Sequence, residues 1–196
     1  MSLTLEEKNR YQRHILLNEI GEAGQTKLKR AKVLCVGAGG LAAPVLYYLA
    51  AAGVGTLGII DPDTVDLSNL QRQILYTVEA IGKKKVYQAK QRLHLLNPSI
   101  HIETYDTLLQ HDNALTLLKA YDVIIDATDN FATRYLINDA CFQLQKPFIY
   151  AGIYQFEGQL ALFEPPSTAC YRCLYPTPAP AGLMQNCADA GVLGIL

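Results

Sequence analysis

Three glycines in four positions, Gly37, Gly39 and Gly40, follow the apolar run KVLCV at 32–36. Glycine lets a backbone come close to a bulky anion, and a helix start offers free N–H groups and a positive dipole end. The turn reads as a phosphate cradle, with a plain tight strand-to-helix turn as the alternative. Redox dinucleotide sites usually carry another glycine where this chain has Ala42. Asp61 closes the next apolar run, TLGIID at 56–61, where a carboxylate can accept hydrogen bonds from ribose hydroxyls, with a plain cap or turn aspartate as the alternative. Asp63 is a second nucleotide candidate, and Asp66 adds a further carboxylate nearby.

The polar stretch DPDTVDLSNLQRQ at 61–73 is longer than a redox domain needs after its second strand. It gathers Asn69, Arg72 and Gln73, and the run Gly82-Lys83-Lys84-Lys85 follows at a helix start. Guanidinium offers phosphates a rigid planar fork, and lysine adds a mobile point charge. Cations at a helix start oppose its dipole, so a bound anion would reconcile them; a solvated basic face is the blander reading. Asp126 and Asp129 stand in IIDATDN, where hard oxygens at a strand end suit Mg²⁺. Asp129, farther into the loop, is the preferred metal ligand, while Asp126 is read as either a second ligand or a structural cap. No GxxxxGK[ST] phosphate loop occurs. A nucleoside triphosphate with its counterion accounts for these groups together. A nicotinamide dehydrogenase explains only the glycines and Asp61.

The chain has five cysteines. Cys35 and Cys141 fall in apolar runs and read as small buried hydrophobes. Cys170 and Cys173 form a C-x₂-C pair, half of a four-sulfur zinc site, or alternatively a redox pair. No second pair follows before Leu196, so a fragment of a longer protein is expected, or zinc that is absent, weak or shared between chains. Cys187 stands apart in the glycine-rich QNCADAG and reads, on its residues alone, as an ordinary loop thiol. His14 and His94 lack metal-spaced partners and read as packing or solvated groups.

The elements that must position these groups alternate. Strands are expected at 32–36, 56–61, 100–106, in YDVIIDAT and in PFIYAGIY, with helices after the glycine turn to Gly53 and at 77–97, 111–119 and 131–145. EGQLALFEP is a further strand candidate. The pattern predicts an α/β, Rossmann-like, mostly parallel sheet with helices on both faces, and ligands at the carboxyl edge of its strands. One domain spans 1–196: an N-terminal helical arm at 1–29 interrupted by Gly21 and Gly24, a core at 30–164 and a cysteine-bearing segment at 165–196. With 17 basic and 18 acidic side chains, net charge −1, no bulk charge draws the chain to nucleic acid or an anionic membrane. No apolar run reaches the roughly 20 residues a bilayer requires. MSLTLEEKNRYQRH lacks the apolar centre of a secretory signal, so a cytoplasmic protein is expected.

The stretches RYQRHILL, GAGGLAAP, DPDTVDLSNLQRQ, IGKKK, DATDN, CYRCLYP and CADAGVLG, in this order over nearly the whole chain, resemble the bacterial members of the ubiquitin-activating enzyme superfamily. The likeness is to the group that adenylates sulfur-carrier proteins for molybdopterin or thiamine synthesis. The resemblance implies an ATP- and Mg²⁺-dependent adenylyltransferase acting on the Gly-Gly carboxylate of a ubiquitin-like carrier. It assigns Gly39 and its neighbours to the nucleotide turn, Asp61 to the ribose, and Asn69, Arg72, Gln73 and Lys85 to the phosphates. Asp129 becomes the Mg²⁺-binding catalytic aspartate, and Arg13 an arginine delivered into the other subunit of a homodimer. Cys170 and Cys173 become zinc ligands, completed downstream. Cys187 becomes a residue that in some members links covalently to carrier or sulfur, which brings in a sulfur donor protein. Other ubiquitin-like tags, a short peptide carboxylate, or a nucleotide-binding module without activity remain alternatives.

Overall fold

A computed structural model describes residues 2–177 and 191–194. The chain runs α1 (Leu5–Arg10), α2 (Gln12–Ile15), α3 (Gly21–Arg30), β1 (Lys32–Val36), α4 (Ala42–Ala52) and β2 (Thr56–Ile60). It continues through α5 (Lys85–Leu96), β3 (His101–Tyr105), α6 (Ala114–Lys119), β4 (Val123–Asp126), α7 (Phe131–Leu144), β5 (Phe148–Tyr154), β6 (Glu157–Phe163) and α8 (Tyr171–Leu174). The six strands lie in the order β3-β2-β1-β4-β5-β6, parallel except for the last, which returns antiparallel along β5. After β3 the chain crosses to the other side of β1, so the strand ends of β1 and β4 part at a topological switch point, where open α/β sheets bind ligands.

Strand alternation divides the core. Val33, Cys35, Leu57, Ile59 and Ile125 pack under α4 and α5, against Ala42, Leu46, Ala50, Val86 and Leu93. Leu34, Val36, Ile60, Ile124 and Phe148 pack on the opposite face against Leu118, Ile137 and Cys141. Cys35 and Cys141 are both fully buried, as expected for small hydrophobes. At β5 and β6 one sheet face is left open: Leu160 and Leu162 are exposed, opposite Ala151 and Ile149.

The N-terminal arm is helical, and its glycines behave differently from the expectation. Gly21 opens α3 with φ +54 instead of interrupting a helix, and Gly24 lies within it. The arm is fastened to the body by Tyr11, whose buried hydroxyl accepts from Asn97 Nδ2 at 2.8 Å; the same nitrogen donates to Ala50 O. The helix expected over 77–97 begins only at Lys85. Gly82 takes φ +79, and isolated bridges Val65↔Ile81 and Thr64↔Lys84 bind this stretch to the preceding polar loop. Backbone committed to those bridges cannot also close helical turns. The helix expected from 111 starts at Ala114, because Asn113 spends its side chain on Gln110 N and Leu108 O.

Gly37 has φ +98, and a Cβ there would lie 2.7 Å from Ala127 O, across the seam between β1 and β4. Gly37→Ala should therefore lower stability by about 3 kcal/mol, combining left-handed strain with the clash; urea denaturation beside the parent chain measures it.

Candidate functional site

At the carboxyl edge of the sheet a cleft of about 310 Å³ opens between the ends of β1, β2 and β4. Its lining includes Gly37, Gly39, Gly40, Asp61, Asp63, Arg72, Gln73, Lys85 and Asp129. Nine sequence-predicted residues, spread over 92 positions from Gly37 to Asp129, thus converge on one space.

Ala38, inside the glycine turn, is held by two side chains. Its N–H donates to Asp61 Oδ2 at 2.8 Å, and its carbonyl accepts from the Tyr76 hydroxyl at 2.8 Å. Asp61 Oδ1 accepts the Asp63 N–H at 2.8 Å, so one buried carboxylate joins the turn after β1 to the loop after β2. Burial pushes the Asp61 carboxyl above the usual range, against the opposing pull of Lys85 and the two N–H donors. With Ala38 fixed, the Gly39 and Gly40 N–H groups have no acceptor among the described residues. Free N–H groups ahead of α4 are what an anion cradle of the kind expected from the glycine spacing would use.

The cations are arranged less freely than the sequence suggested. Lys85 is buried and pairs with Asp63 at 2.9 Å; Lys84 pairs with Asp106 at 2.9 Å and donates to Pro62 O. The dipole conflict at the start of α5 is thus relieved within the chain by two carboxylates, and does not by itself require an external anion. Arg72 differs. Its Nη1 donates to Ser68 O at 3.1 Å, its stem lies against Gly40, and it has no carboxylate partner among the described residues. Gln73 is buried beside Gly39 with Oε1 unpartnered.

Asn69 lies outside the cleft lining. Its Oδ1 accepts the Asp66 N–H and its Nδ2 reaches the Ser68 hydroxyl, forming a local cap of the single-turn helix Leu67–Asn69. Arg13 is exposed on α2, away from the cleft. Cys170 and Cys173 are also elsewhere, at the start of α8, with sulfurs 3.5 Å apart. Burial works against ionisation of Cys170, but the Cys173 thiol and N–H and its other neighbours hold its pKa below the ordinary thiol value. Among the described residues no third metal ligand joins the pair, so two of four zinc positions are supplied. Cys187 lies outside the described residues.

The cleft also contains residues the sequence reading passed over. Thr107, Leu108 and Leu109 follow β3 along the same edge, and the strand-end rule that selected Asp61 would have found them. Thr128, Asn130 and Thr133 continue the wall from β4 into α7. Val192, Leu193 and Gly194, from the CADAGVLG stretch already singled out, also line the cleft, with Val192 bridged to Gln155 and Gly194 pressed against Arg72.

These features suit a nucleotide: a turn with free amides, a guanidinium without a carboxylate partner among the described residues, and an unpartnered buried amide oxygen. Asp129, exposed at the rim, gives a hard oxygen for a divalent cation that would take its remaining ligands from phosphate and water. The chain matches the ThiF family over residues 11–196. It belongs to that family. A Thermus thermophilus relative named sulfur carrier protein adenylyltransferase is 50% identical over 201 residues, covering 100% of this chain and 74% of that protein. The Culex quinquefasciatus adenylyltransferase and sulfurtransferase MOCS3 is 54% identical over 187 residues, covering 95% of this chain but 43% of that protein. The crystal structure of E. coli MccB with ATP superposes with a TM-score of 0.79 at 30% identity, covering 87% of this chain and 52% of that one. The ThiF-family chain therefore spans about three quarters of one relative and about half of the others. No helix among its described residues is long and apolar enough to cross a membrane.

Asp126 closes β4 as a structural cap: Oδ1 accepts from Thr128 N and Oγ at 3.0 and 2.6 Å. Burial raises its pKa from 3.8 to about 6, against Thr128 and the Arg134 charge, which pull it down. The folded chain then holds more protons than the unfolded one between those values, so this group's contribution to stability falls as pH rises from 4 to 6. The span amounts to about 3 kcal/mol, and Asp126→Asn should remove most of it. Urea denaturation of both chains across that range tests the slope.

Proposed function

We propose that this chain is the adenylating domain of an enzyme that activates the C-terminal carboxylate of a ubiquitin-like sulfur-carrier protein ending in Gly-Gly. The observation that carries the reading is Arg72, a cation without a carboxylate partner, standing in one cleft with the Gly37–Gly40 turn and Asp129. Family membership and the relatives named as adenylyltransferases support it.

ATP is the co-substrate. The Gly39 and Gly40 amides receive phosphate oxygens, and Asp61, its oxygens each engaged by one N–H, retains lone pairs for ribose hydroxyls. The carrier's carboxylate oxygen bonds to the α-phosphorus while the bond from that phosphorus to the bridging oxygen of pyrophosphate breaks. The products are an acyl-adenylate and pyrophosphate. Negative charge grows on the phosphate oxygens during this exchange. Arg72 meets it with a planar fork, and Lys85 from a position set by Asp63. Asp129 would hold Mg²⁺, which neutralises phosphate charge and orients the leaving group when bound. Holding both reactants in line supplies much of the remaining rate gain.

The exposed Leu160 and Leu162, on the sheet face whose strand β5 also brings Ile153 into the cleft, suit an apolar patch on the carrier. Gly-Gly would then thread beneath Val192–Gly194. The full scheme has residues 1–196 as one domain in a cytoplasmic homodimer, with Arg13 serving the other subunit. Asn69 would have to leave its cap to join the phosphates. Zinc at Cys170 and Cys173 would draw two ligands from outside the described residues. Cys187, with a sulfur donor protein, belongs to a later transfer that adenylation does not require.

Arg72→Ala and Asp129→Ala should fold with unchanged melting behaviour yet lose carrier-stimulated ATP–pyrophosphate exchange by about 100-fold or more. Exchange at the parent rate in either variant removes that residue from the scheme. Molybdopterin-type and thiamine-type carriers, assayed side by side with a short peptide carboxylate, identify the substrate. Cys187→Ser should keep adenylation and lose sulfur transfer; retention of both ends the covalent role.

A further inference from the structure

Thr128 sits between the buried end of β4 and the exposed Asp129. All three of its hydrogen-bonding groups are held. Its N–H and hydroxyl donate to Asp126 Oδ1 at 3.0 and 2.6 Å, and its carbonyl accepts from Arg134 Nη2 at 3.1 Å. Both holding side chains are buried, Asp126 with 0% and Arg134 with 9% exposure. Neither lines the cleft.

Each is an awkward group for a protein interior. Arg134 has no carboxylate within ion-pair distance among the described residues. It lies over the rings of Phe131 and Tyr150, at 5.2 and 4.9 Å from their centroids, and reaches the Tyr150 hydroxyl at 3.3 Å. Arg134 Nε and Asp126 Oδ2 are buried without partners. Incompletely satisfied buried charges are poor stabilisers, and apolar side chains of similar volume often serve packing as well or better. What these two share is Thr128.

We infer that Asp126 and Arg134 are positioning residues that grip Thr128 from its two ends and thereby set the Asp129 carboxylate at the cleft rim. Both anchors are themselves fixed. Asp126 lies in register with Val36 of β1 and Tyr150 of β5. Arg134 is in the first turn of α7, where its N–H bonds to Asn130 O and where Asn130 Oδ1 caps Thr133 N. Asp129 is thus a single residue suspended between a gripped threonine and a helix cap. A shift in either grip moves its carboxylate, while the amides of Gly39 and Gly40 stay placed through Ala38 by Asp61 and Tyr76.

The role of Asp129 in this inference rests on the proposed adenylation, whereas the grip itself does not. The test therefore uses two kinds of readout on the full chain and on Arg134→Met, Arg134→Lys and Thr128→Val. Hydrogen–deuterium exchange at residues 128–130 should quicken by about tenfold in Arg134→Met and Thr128→Val, and return toward the parent rate in Arg134→Lys, which restores one donor. Carrier-stimulated exchange should show kcat falling by about 10–100-fold and the half-saturating Mg²⁺ concentration rising by a similar factor, as for other supports of a metal ligand. ATP binding without Mg²⁺ should change less than about twofold in the two Arg134 variants, whose side chain lies outside the cleft lining. Unchanged protection at 128–130 overturns the grip. A lowered melting temperature with parent-like kcat and Mg²⁺ requirement assigns these residues to packing alone, and overturns their positioning role. If the parent chain activates no carrier, the functional proposal falls, and amide exchange still decides the grip.

Discussion

A buried carboxylate is tolerable only when its oxygens find donors, and at Asp61 those donors are the backbone N–H groups of Ala38 and Asp63. That double bond is what gives the cleft its shape. It pins the glycine turn after β1 to the polar loop after β2, and that loop carries Arg72 and Gln73 back over Gly39 and Gly40. Lys85 reaches the same place because its own N–H bonds to Asp63 O and its ammonium to Asp63 Oδ2. Without a fixed Ala38, the free amides beside it would lose their common direction, and the cations would face no particular anion position.

The opposite wall is governed by close approach instead of charge. Gly37 passes so near Ala127 O that a Cβ there would lie 2.7 Å from it, so the parting of β1 and β4 leaves no room for a side chain. Beyond the seam, the turn into α7 is carried by Thr128 and by the Asn130 cap. One wall thus depends on a carboxylate shared by two loops, and the other on a residue held by two buried charges. The strands between them contribute direction and little else.

Much of this was legible in the chain. KVLCV and TLGII are strands almost to the residue, because buried parallel strands are short continuous apolar runs. The glycine turn and Asp61 follow from their places at strand ends, Asp129 from the loop just beyond one, and Arg72 from the long polar loop after β2. What could not be read was anything dependent on partners far apart in sequence. Lys84 and Lys85 look like unsatisfied cations until Asp106 and Asp63 are seen beside them. Asn69 looks like a phosphate ligand, yet its side chain is taken up by Asp66 and Ser68. Arg134 sits in a helix where an arginine would ordinarily face water, and only the packing of Phe131 and Tyr150 reveals that it does not. Local periodicity also extended α5 through residues whose backbone was already engaged in bridges to the polar loop.

The Lys84–Asp106 pair has an effect beyond relieving the start of α5. It is partly open to solvent, with side-chain exposures of 40% and 26%, and Asp106 immediately precedes the Thr107–Leu109 segment of the cleft wall. Ionic strength therefore acts on this molecule at two places. It screens the Arg72 charge that faces the cleft, and it loosens the tie that holds one cleft wall in place.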